Sequence, residues 1–216
     1  MRTKRPRISI ELILDVARQL FSKKGYGGTS IGDITGRLGV SKPALYYYFK
    51  NKMEILETLH SKAFKELIDS YERLDNSDIP PEKKFVKIVE NHANVVAKNV
   101  DLVKIFFLDE KEIPKKVVKT VREKRRAYTK QLIQLFQKGV KKGAFRDVNP
   151  KIAVYGILGA CNWLLMWYTP TGRLDSCKIA DTISDLLYTG YSSDKSQKDN
   201  KEIFESQIKK FNSEKS

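Results

Sequence analysis

Three consecutive tyrosines, Tyr46, Tyr47 and Tyr48, stand between Lys42 and Lys52 in a stretch that also holds Pro43, Ala44 and Phe49. Phenol hydroxyls and lysine ammonium groups can bond phosphate oxygens, and short apolar groups can approach the methyl edge of a thymine. Successive side chains on a helix point in different directions, so part of this set must face outward. A second cluster lies far along the chain, where Arg122, Arg125, Arg126 and Lys130 repeat at i, i+3, i+4 and i+8 and share one helical face. Their planar guanidinium forks donate paired hydrogen bonds and suit phosphate. Catalytic chemistry finds little support. His60 and His92 fall on separate predicted helices, and no Cys/His/acid spacing of a zinc site occurs. Gly25–Tyr26–Gly27–Gly28 lacks the strand and remaining glycine of a dinucleotide-binding turn, and Gly139 to Gly143 is not followed by the Lys–Ser/Thr of a phosphate loop. The expectation is a protein that is not an enzyme and needs no metal or cofactor.

The elements that must position the tyrosines can be read locally. Ser30 can cap a helix with Asp33 in its first turn, and Ile31, Ile34 and Leu38 share one face. That predicts a short helix from Ser30 to Leu38. Gly39 tolerates positive φ, Val40 plugs the turn, and Ser41 caps a second helix, in whose first turn Pro43 is harmless. Leu45 and Phe49 grip the first helix, which leaves Lys42, Pro43, Ala44, Tyr46 and Tyr47 on the outer face; Lys52, opening the next helix, is placed to meet a phosphate. Two short helices joined in this way predict a helix-turn-helix that reads DNA. A preceding helix from Ser9 to Lys24, with Ile10, Ile13, Ala17, Leu20 and Phe21 inward, completes a three-helix head over residues 1–52.

Charge and composition bound the rest. The formal charge is +15 in 216 residues, which favours a polyanionic partner. Residues 1–52 hold 11 Lys/Arg against 3 Asp/Glu, including the arm Arg2, Lys4, Arg5 and Arg7, which can reach a minor groove or meet phosphates. Residues 53–113 are acidic, 147–216 neutral, and residues 114–146 carry 12 basic residues against Glu123 alone. Two isolated cysteines, Cys161 and Cys177, fit a reducing cytoplasm. No apolar core precedes Ile8, so no export leader is expected, and the stretch from Val154 to Tyr168 is too short to span a bilayer. Helical patterns follow one another over residues 53–190: Lys52 to Leu74, a segment marked by Phe85, Ile88, Val89, His92 and Val96, Asp101 to Asp109, Pro114 to Lys142, Pro150 to Tyr168 and Asp175 to Thr189. The expected fold class is all-α, with no strand alternation and no repeat. Residues 191–216 read as a polar connection in which Ile203, Phe204, Ile208 and Phe211 keep helical spacing, as either a short last helix or disordered chain.

The run Thr29, Ile34, Gly39, Val40, Ser41, Leu45, Tyr46, Tyr48, Phe49, Lys52, Ile55 and Leu56 resembles the DNA-binding head of TetR-type transcriptional regulators. That resemblance implies DNA contacts at Thr29, Lys42, Pro43, Ala44, Tyr46, Tyr47 and Lys52. Thr35, Leu38 and Asn51 depart from the commoner family pattern at scaffold positions. The segment from Val103 to Gly190, with IFFLDEKEIP, RRAY, GAFR and the run Asn162–Trp163, Trp167–Tyr168, Pro170, Gly172 and Leu174, resembles the TetR-type repressors of fatty-acid and sterol degradation that respond to acyl-CoA thioesters. The implied effector is a long-chain acyl-CoA, its chain in a tunnel through the helices and its nucleotide at the mouth. Arg122, Arg125, Arg126 and Lys130 would meet the phosphates; Phe85, Val89, Phe106, Phe107, Tyr128, Leu132, Trp163 and Trp167 would wall the tunnel. Core packing for the aromatic set and a solvated face for the basic set are the bland alternatives.

The helices at about 150–168 and 175–189 carry more apolar surface than one subunit needs, which predicts a homodimer. Gly156 and Gly159 permit close approach there, with Ile157, Leu158, Leu164, Leu165, Ile179, Ile183, Leu186 and Leu187 in the contact. Two other readings remain open: a repressor of an efflux pump that answers to lipophilic drugs, and a DNA-coating protein without a ligand.

Overall fold

The computed structural model describes residues 8–108 and 110–193, and every regular element among them is helical. The head holds α1 (Ile10–Lys24), α2 (Ile31–Leu38) and α3 (Lys42–Tyr46). Ser9 caps α1, Ser30 and Asp33 form a reciprocal capping box on α2, and Gly39 ends α2 in the left-handed region at φ 67°. The second helix of the motif is shorter than the sequence implied. It ends at Tyr46, and Phe49 enters the core from the turn beyond, its N–H still donating to Leu45 O at 3.1 Å.

Asn51 caps α4 (Lys52–Asp75), which leaves the head and enters the body. There α5 (Pro81–Lys98) is central, packed by α4, α7 (Lys115–Lys141), α8 (Pro150–Asn162) and α10 (Ser176–Tyr191). Between α5 and α7 lie α6 (Val100–Leu108) and a 3-10 turn over Glu110–Glu112. Two apolar cores result. The body core centres on Phe85, Leu132 and Phe136. The head core gathers Ile13, Phe21, Ile34 and Leu45, but also Ile55 and Leu56 of α4, Ile105 and Phe106 of α6, and Val117 and Val121 of α7.

The helix expected over 150–168 is divided. α8 stops at Asn162, and α9 (Leu164–Trp167) follows after Trp163, where ψ of −18° and a bond from Met166 N to Trp163 O tighten the turn toward 3-10 geometry. The division falls where Asn162 turns in to meet His92. Ile157, Leu164, Leu165 and Ile179, expected at a dimer face, are instead buried in the subunit's own core. The outer face of α8 is a different stripe: Ile152, Gly156 and Trp163, with Ile152 72% and Trp163 61% exposed and open space over Gly156. The basic arm from Arg2 to Arg7 and the segment from Ile203 to Phe211 lie outside the described residues.

The end of α10 is held by the link after α7. Arg146 N donates to Tyr191 O and Ser193 N to Ala144 O, both at 3.0 Å, which pairs Phe145 with Ser192. Phe145 is buried against Phe85 and Tyr191, and its ring lies 2.3 Å from where a Cβ on Gly139 would stand. Alanine has the better helix propensity by about 1 kcal/mol, but here its methyl would displace a packed aromatic ring. Gly139→Ala is therefore expected to lower unfolding free energy by about 1–2 kcal/mol in urea melts, against the usual sign for an alanine on a helix.

Candidate functional site

The outer face of α3 is built from the turn upward. Ser41 caps it, its hydroxyl accepting from Ala44 N at 3.4 Å, and Leu45 is fully buried against the head. The three tyrosines then diverge. Tyr47 is 85% exposed and Tyr46 about half, while Tyr48 turns back and donates its hydroxyl to Ile8 O at 3.2 Å. Lys42 and Pro43 are exposed beside them and Ala44 is half-buried, so this face offers a cation, two phenols and little steric bulk. Asp33 below it is held well under the usual carboxylate range by hydrogen bonds from Lys24 and then Ser30.

A cavity of about 380 Å³ lies in the body between α4, α5, α6, α7 and α8. Phe64, Val96, Phe106 and Leu158 supply apolar wall. His60, His92, Tyr128 and Asn162 supply polar groups, and Arg125 and Arg126 bring positive charge to the same lining. The Arg125 guanidinium sits 4.3 Å above the Phe107 ring centroid. Burial draws its pKa down, although a guanidinium remains charged at neutral pH. Phe107 and Arg126 are exposed and mark an edge where the cavity meets solvent.

Residues 13–59 match the family described as "Bacterial regulatory proteins, tetR family", and residues 78–191, over half of the chain, match "Tetracyclin repressor-like, C-terminal domain". The chain belongs to the TetR family. It is thus a TetR-type transcriptional repressor with a helix-turn-helix head and a helical C-terminal domain. The fatty acid metabolism regulator protein of Bacillus subtilis (strain 168) is 21% identical over 192 residues, 88% of this chain and 98% of the relative. A TetR/AcrR-family regulator from Thermobifida fusca YX-ER1 superposes with a TM-score of 0.68 at 31% identity, over 84% of this chain and 97% of its own. AibR, solved in complex with isovaleryl coenzyme A and operator DNA, shares the fold at a TM-score of 0.70 and 21% identity, over 83% and 97% of the two chains.

Within this TetR-type frame the structure separates the residues that the sequence grouped. Thr29 is 1% exposed, and its hydroxyl donates to Gly25 O at 2.8 Å. Lys52 Nζ donates to Tyr26 O and Thr29 O, each at 2.6 Å, and lies 4.2 Å from the Tyr26 ring centroid. Both residues brace the turn between α1 and α2 rather than stand open to a phosphate. In the body, Phe106, Phe107, Tyr128, Arg125 and Arg126 come together on the cavity. Phe85, Val89 and Leu132 do not; their burial is that of the packed core. Arg122 is engaged by Glu110, Lys130 points to solvent, and Trp163 and Trp167 are half or more exposed outside the lining. Sequence reasoning missed His60, Phe64, His92, Tyr155 and Asn162, which line the cavity from three different helices. The histidines were visible as a pair, but their 32-residue separation concealed that α4 and α5 turn both toward one space.

Burial holds both histidines down to about 4, with Arg125 further opposing a second positive charge at each. Between about pH 6.5 and 4 the unfolded chain therefore takes up protons that the folded chain refuses, so stability falls as pH drops through that window. The thermal midpoint of the ligand-free protein is expected to decline from about pH 7 to 5, above the main carboxylate range. His92→Asn should flatten that decline, by at most about 1.4 kcal/mol per pH unit; an unchanged slope would place the proton uptake elsewhere.

Proposed function

We propose that this chain represses transcription as a dimer, holds operator DNA through α3 of each protomer, and releases it when an acyl-CoA thioester occupies the cavity. The observation that carries the effector reading is an apolar cavity with Arg125 and Arg126 in its lining. A chain of methylenes gains roughly 0.8 kcal/mol for each one removed from water, and the guanidinium groups suit the phosphates of CoA. AibR, alike in fold, has been solved with a CoA thioester and operator DNA, which supports the same pairing of ligand and target. The Bacillus subtilis relative is a fatty acid metabolism regulator, which supports control of lipid metabolism genes.

At the DNA end, Lys42, Pro43, Ala44, Tyr46 and Tyr47 supply phosphate contacts and base-edge contacts, with affinity that falls as salt rises. The cavity communicates with them through two elements. α4 carries head-core residues at Ile55 and Leu56 and cavity residues at His60 and Phe64. Phe106 of α6 lines the cavity and packs in the head core, while Glu112, just beyond α6, accepts from Gly27 N at 2.9 Å. A ligand that prefers one arrangement of α4 and α6 shifts head spacing by that preference and by no more.

Fluorescence anisotropy of the protein on its own upstream DNA, at fixed moderate salt, tests the reading with acyl-CoA thioesters against free CoA and free fatty acid. Release by thioesters alone supports it; tight binding throughout would turn the search to lipophilic drugs. Tyr47→Ala should weaken DNA binding about tenfold and leave effector affinity intact, whereas Arg126→Ala should raise the thioester concentration for release about tenfold and spare DNA binding.

Dimerisation is assigned to the uncharged outer stripe of α8, where open space over Gly156 allows a second helix to approach closely. Ile152→Glu is expected to yield a folded monomer by analytical ultracentrifugation, with specific operator binding lost because half-sites are no longer read together. A dimer that persists in that variant would move the interface to α10.

A further inference from the structure

The turn between α6 and α7 is tied by two carboxylates to two different parts of the protein. Glu110 accepts from the Arg122 guanidinium, and Glu112 accepts from Gly27 N at 2.9 Å. Ile113 N donates back to Glu110 O at 3.1 Å, which closes the single 3-10 turn that holds both acids. Ile113 itself is buried in the head core. A shift of Glu110 is therefore carried to Glu112 over two residues of backbone.

One tie faces the cavity and the other faces the head. Arg122 stands three and four residues before Arg125 and Arg126, both on the cavity lining. Burial is the main influence on Arg125, but Glu110 supports its charge and Arg122 opposes it, which places the three groups within electrostatic reach of one another. Gly27 lies between α1 and α2, in the turn that sets α2 and hence α3. From α4, Lys52 grips the same turn by donating to Tyr26 O and Thr29 O. Glu112 holds it from the other side, through the link after α6.

The cavity-side tie is the weaker one. The side chains of Arg122 and Glu110 are 59% and 38% exposed, and a pair so open to water contributes little. A phosphate monoester carries about two negative charges and offers three acceptor oxygens to a guanidinium fork. Seated beside Arg125, it would also repel the Glu110 carboxylate.

We infer that the turn Glu110–Glu112 is the switch by which the effector releases DNA: its phosphates take Arg122 from Glu110, and the displaced turn withdraws Glu112 from the Gly27 amide. This rests on the thioester reading given above and names the contact through which that ligand acts. Without Glu112 the turn between α1 and α2 loses its tie to the body side of the link, and α3 leaves the position that the operator requires.

The test uses the full-length protein and two equilibria. Binding of decanoyl-CoA and hexadecanoyl-CoA is measured by calorimetry without DNA, and operator binding by anisotropy with and without saturating thioester. Glu112→Ala should weaken operator binding of the ligand-free protein about fivefold and tighten thioester binding by a similar factor, because a switch that favours one ligand opposes the other equally. Glu112→Gln keeps an oxygen for the Gly27 amide and should recover most of both values. Glu110→Gln should tighten thioester binding by removing the carboxylate that competes for Arg122. Weaker operator binding in Glu112→Ala without tighter thioester binding is the mark of lost head packing and would overturn the switch. Both affinities staying within about twofold of the parent in Glu110→Gln and Glu112→Ala would overturn it as well. Either result leaves the thioester reading standing when the parent binds a thioester and releases the operator. A parent that binds neither thioester overturns that reading and the switch together.

Discussion

One helix belongs to two cores, and the rest of the molecule is arranged around that constraint. α4 spans 24 residues, roughly 36 Å at 1.5 Å per residue. Its first turns bury Ile55 and Leu56 completely among α1, α2 and α3, and its later turns bury Leu67 and Tyr71 against α5. Close-packed interiors change by discrete rearrangement rather than by gradual deformation. A tilt of α4 in the body must therefore move the head or disrupt its core. The cavity lies alongside the middle of the same helix, at His60, Ala63, Phe64 and Leu67, so its contents bear directly on the shared element.

The link after α6 supplies a second bond between the halves and explains part of the charge map. Acidic residues are concentrated in 53–113 and basic residues in 114–146. In the fold these runs meet: Glu110 engages Arg122, while Glu112 reaches back to the Gly27 amide in the head. A Cβ at Gly27 would lie 2.6 Å from that carboxylate, so the glycine is what admits the contact. The basic helix is thus partly neutralised on one turn and left with Arg125 and Arg126 on the cavity at the next. Neutral histidines beside these arginines avoid adding further positive charge to a space of low dielectric, where uncompensated charge is costly.

Local signals in the sequence were sufficient for the head and for the helical class. Caps at Ser30 and Ser41, the left-handed glycine at Gly39, and the burial of Leu45 and Phe49 all follow from side-chain chemistry acting over three or four residues. The outward face of Tyr46 and Tyr47 was legible in the sequence, whereas Tyr48 lies in the turn beyond α3, where its hydroxyl meets Ile8 O. Periodicity also gave α1, α4, α7 and α10 to within a residue or two, because their apolar faces repeat regularly, but not the division of the stretch over 150–168.

What periodicity could not supply was which buried face meets which. Phe85 and Phe106 look alike in a sequence, since both are aromatic and inward, but one closes a packed core and the other a cavity. The resemblance implied Trp163 and Trp167 as tunnel walls, whereas both stand half or more exposed, at and after the break that follows Asn162. Arg122 and Arg125 share a helical face, and only the position of Glu110 distinguishes them. The sequence by itself determined the all-α class, the helix-turn-helix and the polyanion-seeking charge, because these depend on short-range chemistry. The tertiary structure alone decided the cavity, its histidines and the exposed stripe of α8, because these arise where helices distant in sequence pack against one another.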